Sequence, residues 1–242
     1  MQLESLIKMN WAMRRIDYME VLHVTFEAFT ATFKMPFINT GTAICAPVPS
    51  YSNIVGLISC CAGRYIDKDE TRIGFKYSFK GKGKDLETTR RLELDKNGNL
   101  KKNPEPGIVV REFHTNPKLD IYLSNTNFKR YFEKPAGVPT LGRSQDISWI
   151  TNIEILNMEK AEEGVIKPTL VPFPCESVGG RVIRYCDYYI NDKTGFLRVP
   201  EKMILYQVIP ESENGVYIKR DNLYRIGEGP EVIYMHTLGD EK

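Results

Sequence analysis

Residues able to grip an anion gather in one short stretch of this chain, from Phe33 to Arg64. It reads Phe33-Lys34-Met35-Pro36-Phe37, then Cys45-Ala46-Pro47-Val48-Pro49-Ser50-Tyr51-Ser52-Asn53, then Ile54-Val55-Gly56-Leu57-Ile58 through Gly63-Arg64. Pro47 and Pro49 stiffen the entry, and Ser50 is a natural N-cap for a following helix. Ile54, Leu57, Ile58 and Cys61 fall at i, i+3, i+4 and i+7, which predicts one apolar helical face, and Gly63 supplies the stop. Three residues after Ser50 stands Asn53 instead of a glutamate, so no capping box with a carboxylate is expected. That leaves the N–H groups and positive dipole end of the first turn open to an anion, with Lys34 and Arg64 as partners. The plain alternative is an ordinary capped core helix.

Charge points the same way. The formal net charge of +2 hides an uneven distribution: between Arg72 and Lys102 ten Lys/Arg face only Asp85, Glu87, Glu93 and Asp95, so this segment carries +6 and the remainder −4. A local basic excess in a near-neutral protein suggests a face turned toward a polyanion, with other faces free for protein contacts; a merely solvated loop is the alternative. At 242 residues with 42% hydrophobic and 26% charged content, the chain has the composition of an ordinary soluble protein. No apolar run reaches the ~18 residues of a membrane span, and the N-terminus does not read as a secretory signal, so a cytoplasmic protein is expected. The five cysteines (Cys45, Cys60, Cys61, Cys175, Cys186) include no C-x-x-C pair. Zinc is not expected, nor any other metal or cofactor, and reduced thiols are the simplest state.

The elements that must position these residues follow from periodicity. Residues 1–18 read as an extension, with Met19 a candidate natural start. A strand from Val21 to Phe29 alternates Leu22, Val24 and Phe26 with His23, Thr25 and Glu27. After the Ser50–Ala62 helix comes a strand near Ile73 to Phe79, then Gly-Lys-Gly-Lys at 81–84 and the turn signal Asn97-Gly98. Ile108 to His114 and Leu119 to Leu123, joined by Thr115-Asn116-Pro117-Lys118, read as a hairpin. A short helix is expected near Asn127 to Glu133, then a glycine turn at Thr140 to Ser144 and a strand near Ile147 to Leu156. This β-α-β-β-α-β order is that of a ferredoxin-like (RRM-like) α+β domain over residues 19–158, with a long β-hairpin thumb at about 72–115. Beyond Glu159 the helical signal disappears. Val182 to Ile190, Phe196 to Val208 and Gly215 to Tyr224 predict a smaller all-β C-terminal part over 159–242.

Two motifs together carry a resemblance. One is Ala46-Pro47-Val48-Pro49-Ser50 followed by Ile54-Val55-Gly56-Leu57-Ile58; the other is Leu141-Gly142-Arg143-Ser144 ahead of a strand. In this order, with a basic hairpin between them, they make the stretch from Met19 to about Leu156 resemble the Cas-five family of CRISPR-associated proteins, in the RAMP superfamily. The resemblance implies a subunit of Cascade in a type I system. Such a subunit grips the repeat-derived 5′ handle of the guide RNA, touches the neighbouring backbone subunit with its thumb, and contacts the large subunit, which recognises the flanking motif of the target DNA.

Single-stranded RNA is held by phosphate contacts and by stacking of splayed bases. Under this resemblance the candidate RNA contacts are Ser50, Tyr51 and Asn53 at the helix start, and Gly142, Arg143 and Ser144 at the turn. There a glycine admits close backbone approach and the arginine offers a forked donor. Tyr51 is the stacking candidate, and Lys34, Arg64, Lys80, Lys82 and Lys84 complete the channel. The bland roles are a cap for Ser50, partial burial for Tyr51 and pairing with Asp146 for Arg143. One branch of the family cuts precursor guide RNA with a tyrosine and a neighbouring Lys-His pair. This chain has three histidines (His23, His114, His236) and no Lys-His dipeptide. A metal-independent endoribonuclease built from Tyr51, His114 and Lys118 is the alternative, and a non-catalytic binder is the expectation.

Overall fold

The computed structural model describes residues 17–37, 41–89, 92–102, 107–176, 178–192, 194 and 197–240. Most of the expected N-terminal extension therefore lies outside the described residues, as do residues 90–91 and 103–106 of the thumb. No described helix is long and apolar enough to cross a membrane.

The strands in chain order are β1 (Tyr18–Ala28), β2 (Thr30–Ala31), β3 (Thr42–Ala43), β4 (Ile73–Ser78), β5 (Gly81–Thr89), β6 (Leu92–Leu94), β7 (Leu100–Lys102), β8 (Gly107–Thr115), β9 (Lys118–Leu123), β10 (Ser148–Ile166), β11 (Leu170–Pro172), β12 (Val182–Asn191), β13 (Arg198–Val208), β14 (Val216–Ile226) and β15 (Val232–Tyr234). The α-helices are α1 (Tyr51–Ala62) and α2 (Lys129–Glu133), the latter entered through a 3-10 turn at Thr126–Phe128. The main sheet has the order β15-β14-β10-β1-β9-β4, antiparallel at every pairing. The strand expected to end near Leu156 runs on to Ile166, and β14 and β15 extend the same sheet. β11, β13 and β12 form a second sheet.

Strand alternation gives β1 its buried side: Leu22, Val24 and Phe26 are fully buried with Phe75, Leu119 and Ile121 against α1. The helix returns Ile54, Leu57, Ile58 and Cys61, as its period requires, and Gly63 ends it at φ 68°, the left-handed conformation that favours glycine. The second sheet closes over α1 from the other side, adding Ile183, Tyr185, Tyr188 and Tyr206 to the same core.

Tyr51 occupies the junction between the helix and the two sheets. Only 1% exposed, it packs its ring against Phe75 and Tyr206 and lies 4.3 Å from the His236 ring, while its hydroxyl donates to the Leu170 carbonyl at 2.8 Å. The expectation that Tyr51 stacks on a base is overturned, because the second sheet covers a position that one-sided packing would leave open. Nearby, Asp187 accepts from the Tyr206 hydroxyl, lies 3.0 Å from His236 Nε2 and accepts from the Gly239 amide, tying the C-terminal segment to β12 and β13.

The thumb is a ribbon built on β5 paired with β8, whose root also pairs with the short β2 and β3 in a four-stranded sheet, and β6 and β7 pair further out. It continues the β4–β9 pair across a break at Phe79–Lys80 and Asn116–Pro117. The hairpin expected between Ile108 and Leu123 is therefore a corner. Asn116 sits at φ 45° and Pro117 has no N–H to give, so the chain passes from the ribbon into the main sheet and each strand finds another partner. Ile73–Ser78 belong to the main sheet and the ribbon arm starts at Gly81.

Tyr51→Ala should lower the unfolding free energy by about 3–5 kcal/mol, as removal of a large buried ring does. Tyr51→Phe, which orphans the Leu170 carbonyl, should lower it by about 1–2 kcal/mol. Urea titrations of both variants check this. Loss of RNA binding by Tyr51→Phe at undiminished stability would contradict the core assignment.

Candidate nucleic-acid interface

Six of the twelve residues of α1 are buried apolar side chains: Tyr51, Ile54, Val55, Leu57, Ile58 and Cys61. What remains facing outward is small. Ser52, Gly56 and Cys60 line a groove made of two adjoining cavities of about 420 and about 200 Å³, and Arg198 contributes to both. The larger cavity is walled by Tyr65, Tyr188 and Tyr189, with Arg64 at its rim. The smaller is walled by Pro49 and Asn53 on one side and Thr140, Leu141 and Gly142 on the other. The helix entry and the glycine turn, far apart in sequence, thus meet across one cavity.

The helix entry is capped more fully than its sequence predicts. The Ser50 hydroxyl accepts from the Asn53 amide at 3.2 Å, and the Asn53 side-chain oxygen accepts from the Ser50 amide at 3.1 Å. The missing capping box is thereby corrected: an asparagine carbonyl takes the part of the glutamate carboxylate. Ser50 is 4% exposed and is a cap, so its hydroxyl is not presented to a ligand. Asn53 remains exposed, and the first turn holds no acidic residue to offset the dipole.

The turn at 140–146 is organised by Asp146. Its carboxylate accepts from the Arg143 amide, from Arg143 Nε and Nη2, all at 3.1 Å, and from the Thr30 hydroxyl at 2.6 Å. Burial pushes the Asp146 carboxyl up, but these bonds from Arg143 and Thr30 outweigh it and hold the group below the usual carboxylate range. Arg143 as a forked donor to RNA is thereby overturned, since a fully buried carboxylate three residues on claims the guanidinium, leaving only Nη1, 4.0 Å from Asp85 on the thumb. Gly142 is needed for close packing within the protein. At φ 120°, a Cβ there would lie 1.9 Å from the Thr32 carbonyl oxygen. Ser144 is exposed at the turn.

Arg64 is likewise engaged. It donates to both Glu70 oxygens at 2.8 and 2.6 Å and lies 5.6 Å over the Tyr131 ring, and these hydrogen bonds hold the Glu70 carboxyl down to about 2. As a free phosphate contact Arg64 is corrected too. Lys34 is exposed beside the bridge to Cys45 and lines neither cavity. Lys80, just ahead of the ribbon, and Lys82 and Lys84 on β5 are exposed; Lys82 lies 5.8 Å over the Phe79 ring and Lys84 is 4.0 Å from Glu112.

Arg198, Tyr65 and Tyr189 were missed. Arg198 Nε donates to the Tyr65 hydroxyl at 3.3 Å, and among the described residues no carboxylate pairs with it. Nothing around Arg198 in sequence marks it, but the outward stripe Ser52, Gly56, Cys60 at i, i+4 and i+8 was a readable signal for a groove. With an unpaired guanidinium, two partly exposed tyrosines and an uncompensated helix start, the groove can hold phosphates and stack unpaired bases.

The Tyr51, His114 and Lys118 set does not assemble. His114 is fully buried, its Nδ1 2.9 Å from the Tyr77 hydroxyl and its ring stacked 3.7 Å from Phe79, and Tyr51 is sealed in the core. Lys118 follows the opposite strand parity from Leu119 and points away from the helix.

No family model and no curated protein matches the chain. Among solved structures it is similar to a chain of a "CRISPR RNA-guided surveillance complex" at TM-score 0.49 and 14% identity, over 82% of this chain and 91% of that one. It is also similar to a CRISPR protein from Archaeoglobus fulgidus at TM-score 0.46 and 11% identity, over 90% and 100% of the two chains. A third is a chain of the Type III-B Cmr-beta complex bound to cognate target RNA, at TM-score 0.43 and 13% identity, over 83% and 86%.

Burial, and next the charge of Lys82, lower the His114 pKa from 6.5 to about 4. The unfolded chain then binds the extra proton between these values, so stability should fall on acidification through that window and level off below it. The loss attributable to His114 is about 3 kcal/mol at most. Urea titrations between about pH 7 and about pH 4 should show a shallower decline for His114→Gln than for the unaltered protein. Parallel declines would place the titration elsewhere.

Proposed function

We propose that this chain is a Cas-five-like, non-catalytic Cascade subunit that binds and caps the 5′ handle of a CRISPR guide RNA. Its thumb meets the backbone subunit and another face meets the large subunit, so that it takes part in target DNA recognition through the complex. The observation that carries the reading is the meeting of the two motifs across the α1 groove. The stiff prolyl entry and the glycine turn flank the same cavity, and Arg198, Tyr65 and Tyr189 supply the charge and aromatic surface that an unpaired strand needs.

The fold supports it. Taking β1, β4, β9 and β10 as the four expected strands, their spatial order is fourth, first, third, second, antiparallel throughout, with α1 and α2 in the two crossovers. That order matches the split β-α-β arrangement expected of a ferredoxin-like domain and so favours the reading. The lysine-bearing ribbon springs from between the second and third of these strands, where the thumb is expected. Burial of both Tyr51 and His114 away from any external phosphate favours a binder over an endoribonuclease.

Gly56 provides the test. A Cβ built there meets nothing within 4 Å, so side chains grow into the groove without disturbing the fold. Gly56→Ala should raise stability by roughly 0.5–1 kcal/mol and leave RNA binding intact. Gly56→Phe should fill the groove and, like Arg198→Ala with Tyr65→Ala, weaken retention of labelled handle RNA by about tenfold or more. Affinity should fall steeply with salt, and the Arg198 change alone should reduce the logarithmic slope by about 0.7. Full retention of the handle by both altered proteins would overturn the reading.

A further inference from the structure

On the face of the main sheet turned away from α1, a notch opens at the root of the ribbon. Trp149, Glu27, Lys118 and Ser78 stand in register across β10, β1, β9 and β4. All four have the opposite parity to Phe26, Leu119 and Tyr77, which face the helix core. With Phe29 and Lys80 they line a cavity of about 370 Å³. Phe29 is 75% and Trp149 40% exposed, although their rings meet edge to face 5.1 Å apart. Phe29 thus leaves most of its surface open to water although it touches a second large aromatic side chain.

The cations here differ from Arg143 and Arg64. Among the described residues no ion pair engages Lys80 or Lys118, and Glu27 is the single carboxylate lining the cavity. Lys82 and Lys84 follow on β5, directly across from His114 and Glu112, and only Lys80 and Lys118 line the notch itself. Every base presents a π-face and every linkage a negative charge, and this pattern of rings beside spaced lysines matches both. A protein segment would match the rings but would leave Lys80 and Lys118 without a counter-charge unless it were acidic.

We infer that this notch is a second binding site for unpaired polynucleotide, separate from the α1 groove. One base stacks on Phe29, with Trp149 fixing the ring from the side, and Lys80 and Lys118 take the flanking phosphates. The site rests on the notch geometry alone and stands or falls independently of the handle reading. RNA and single-stranded DNA share the chemistry.

The full chain carrying Trp11→Phe leaves Trp149 as the sole tryptophan reporter. Titration with unstructured oligouridylate and oligothymidylate should quench Trp149 fluorescence with at least one of them, which identifies the strand type, whereas a duplex of equal length should not. Phe29→Ala should weaken the affinity read by the quench about tenfold, and Phe29→Tyr should retain it. Lys80→Gln with Lys118→Gln should lower the logarithmic salt slope by about 1.4. Anisotropy of a labelled oligonucleotide reports total binding. Binding without any Trp149 quench would overturn the notch and leave the groove reading intact. A quench that persists in Gly56→Phe while handle retention is lost would support both sites as distinct. A quench indifferent to Phe29→Ala would overturn the stacking assignment.

Discussion

Burial of α1 on two sides is the constraint on which the rest of the molecule depends. The main sheet takes Ile54, Leu57, Ile58 and Cys61, and the β11-β13-β12 sheet takes the flank that includes Tyr51. A helix whose apolar stripe is this wide must be covered by more than one layer. The arc left over is narrow, and the chain fills it with Ser52, Gly56 and Cys60, residues too small to reach past the walls on either side. The groove is therefore a consequence of the packing: two sheets rise beyond a helix that has no side chains with which to match them. Tyr51 fixes the depth of the arrangement, since its hydroxyl bond to Leu170 and its contacts with Phe75 and Tyr206 link both layers to the first turn.

A second ordering force is electrostatic, and it divides the cations into two kinds. Asp146 is fully buried, and leaving it without a partner would cost several kcal/mol, so the nearest guanidinium, Arg143, is drawn to it. Arg64 is held by Glu70, Lys68 by Glu201 and Lys76 by Glu231. These pairs join segments distant in sequence or clamp loops, and they leave little of that charge for an outside ligand. Among the described residues, Arg198 on the groove wall and Lys80 and Lys118 at the root of the ribbon are cations beside a cavity that no ion pair engages. Net charge in a segment says little about a binding surface until such internal pairing has been subtracted.

Much of the fold could be read from local periodicity. The limits of α1, the strands at Ile73 and Val182, the short helix before Glu133 and the basic ribbon all follow from patterns spanning a dozen residues. What escaped the sequence depends on contacts between remote segments or on side-chain substitutions within a motif. Asn53 supplies a carbonyl oxygen in the position where a carboxylate is the usual signal, so the capping box was invisible to the pattern. Tyr51 reads as an exposed ring beside a helix start unless the second sheet, more than a hundred residues away, is already in place. Asn116-Pro117 carries the composition of a tight turn and instead makes a corner, because its flanking strands pair with β5 and β1 and not with each other. Arg198 carries no local mark at all, for its importance comes entirely from the groove that α1 brings beside it.

The ribbon root shows how the two surfaces are held in a fixed relation. The β4–β9 pairing stops at Ser78 and Lys118 and resumes as β5–β8 at Gly81 and Thr115, and the break is spanned by β2 on β8 and by the Lys80, Asn116 and Ala28 amides donating to the Thr115, Phe29 and Pro117 carbonyls. Side chains reinforce this junction: Phe79 stacks flat on His114, and His114 bonds Tyr77 in the main sheet. Because Lys82 lies directly across from His114, with its ammonium over the Phe79 ring, a charged imidazole would meet a like charge in a buried setting. The neutral ring is thus the form compatible with packing, and it is the form that the surrounding burial enforces. A fixed root in turn holds Lys82 and Lys84 of β5 at a set angle to the notch lined by Lys80. Were the root loose, those ammonium groups would sweep through solvent and their contribution to holding a strand would be spent on ordering the ribbon.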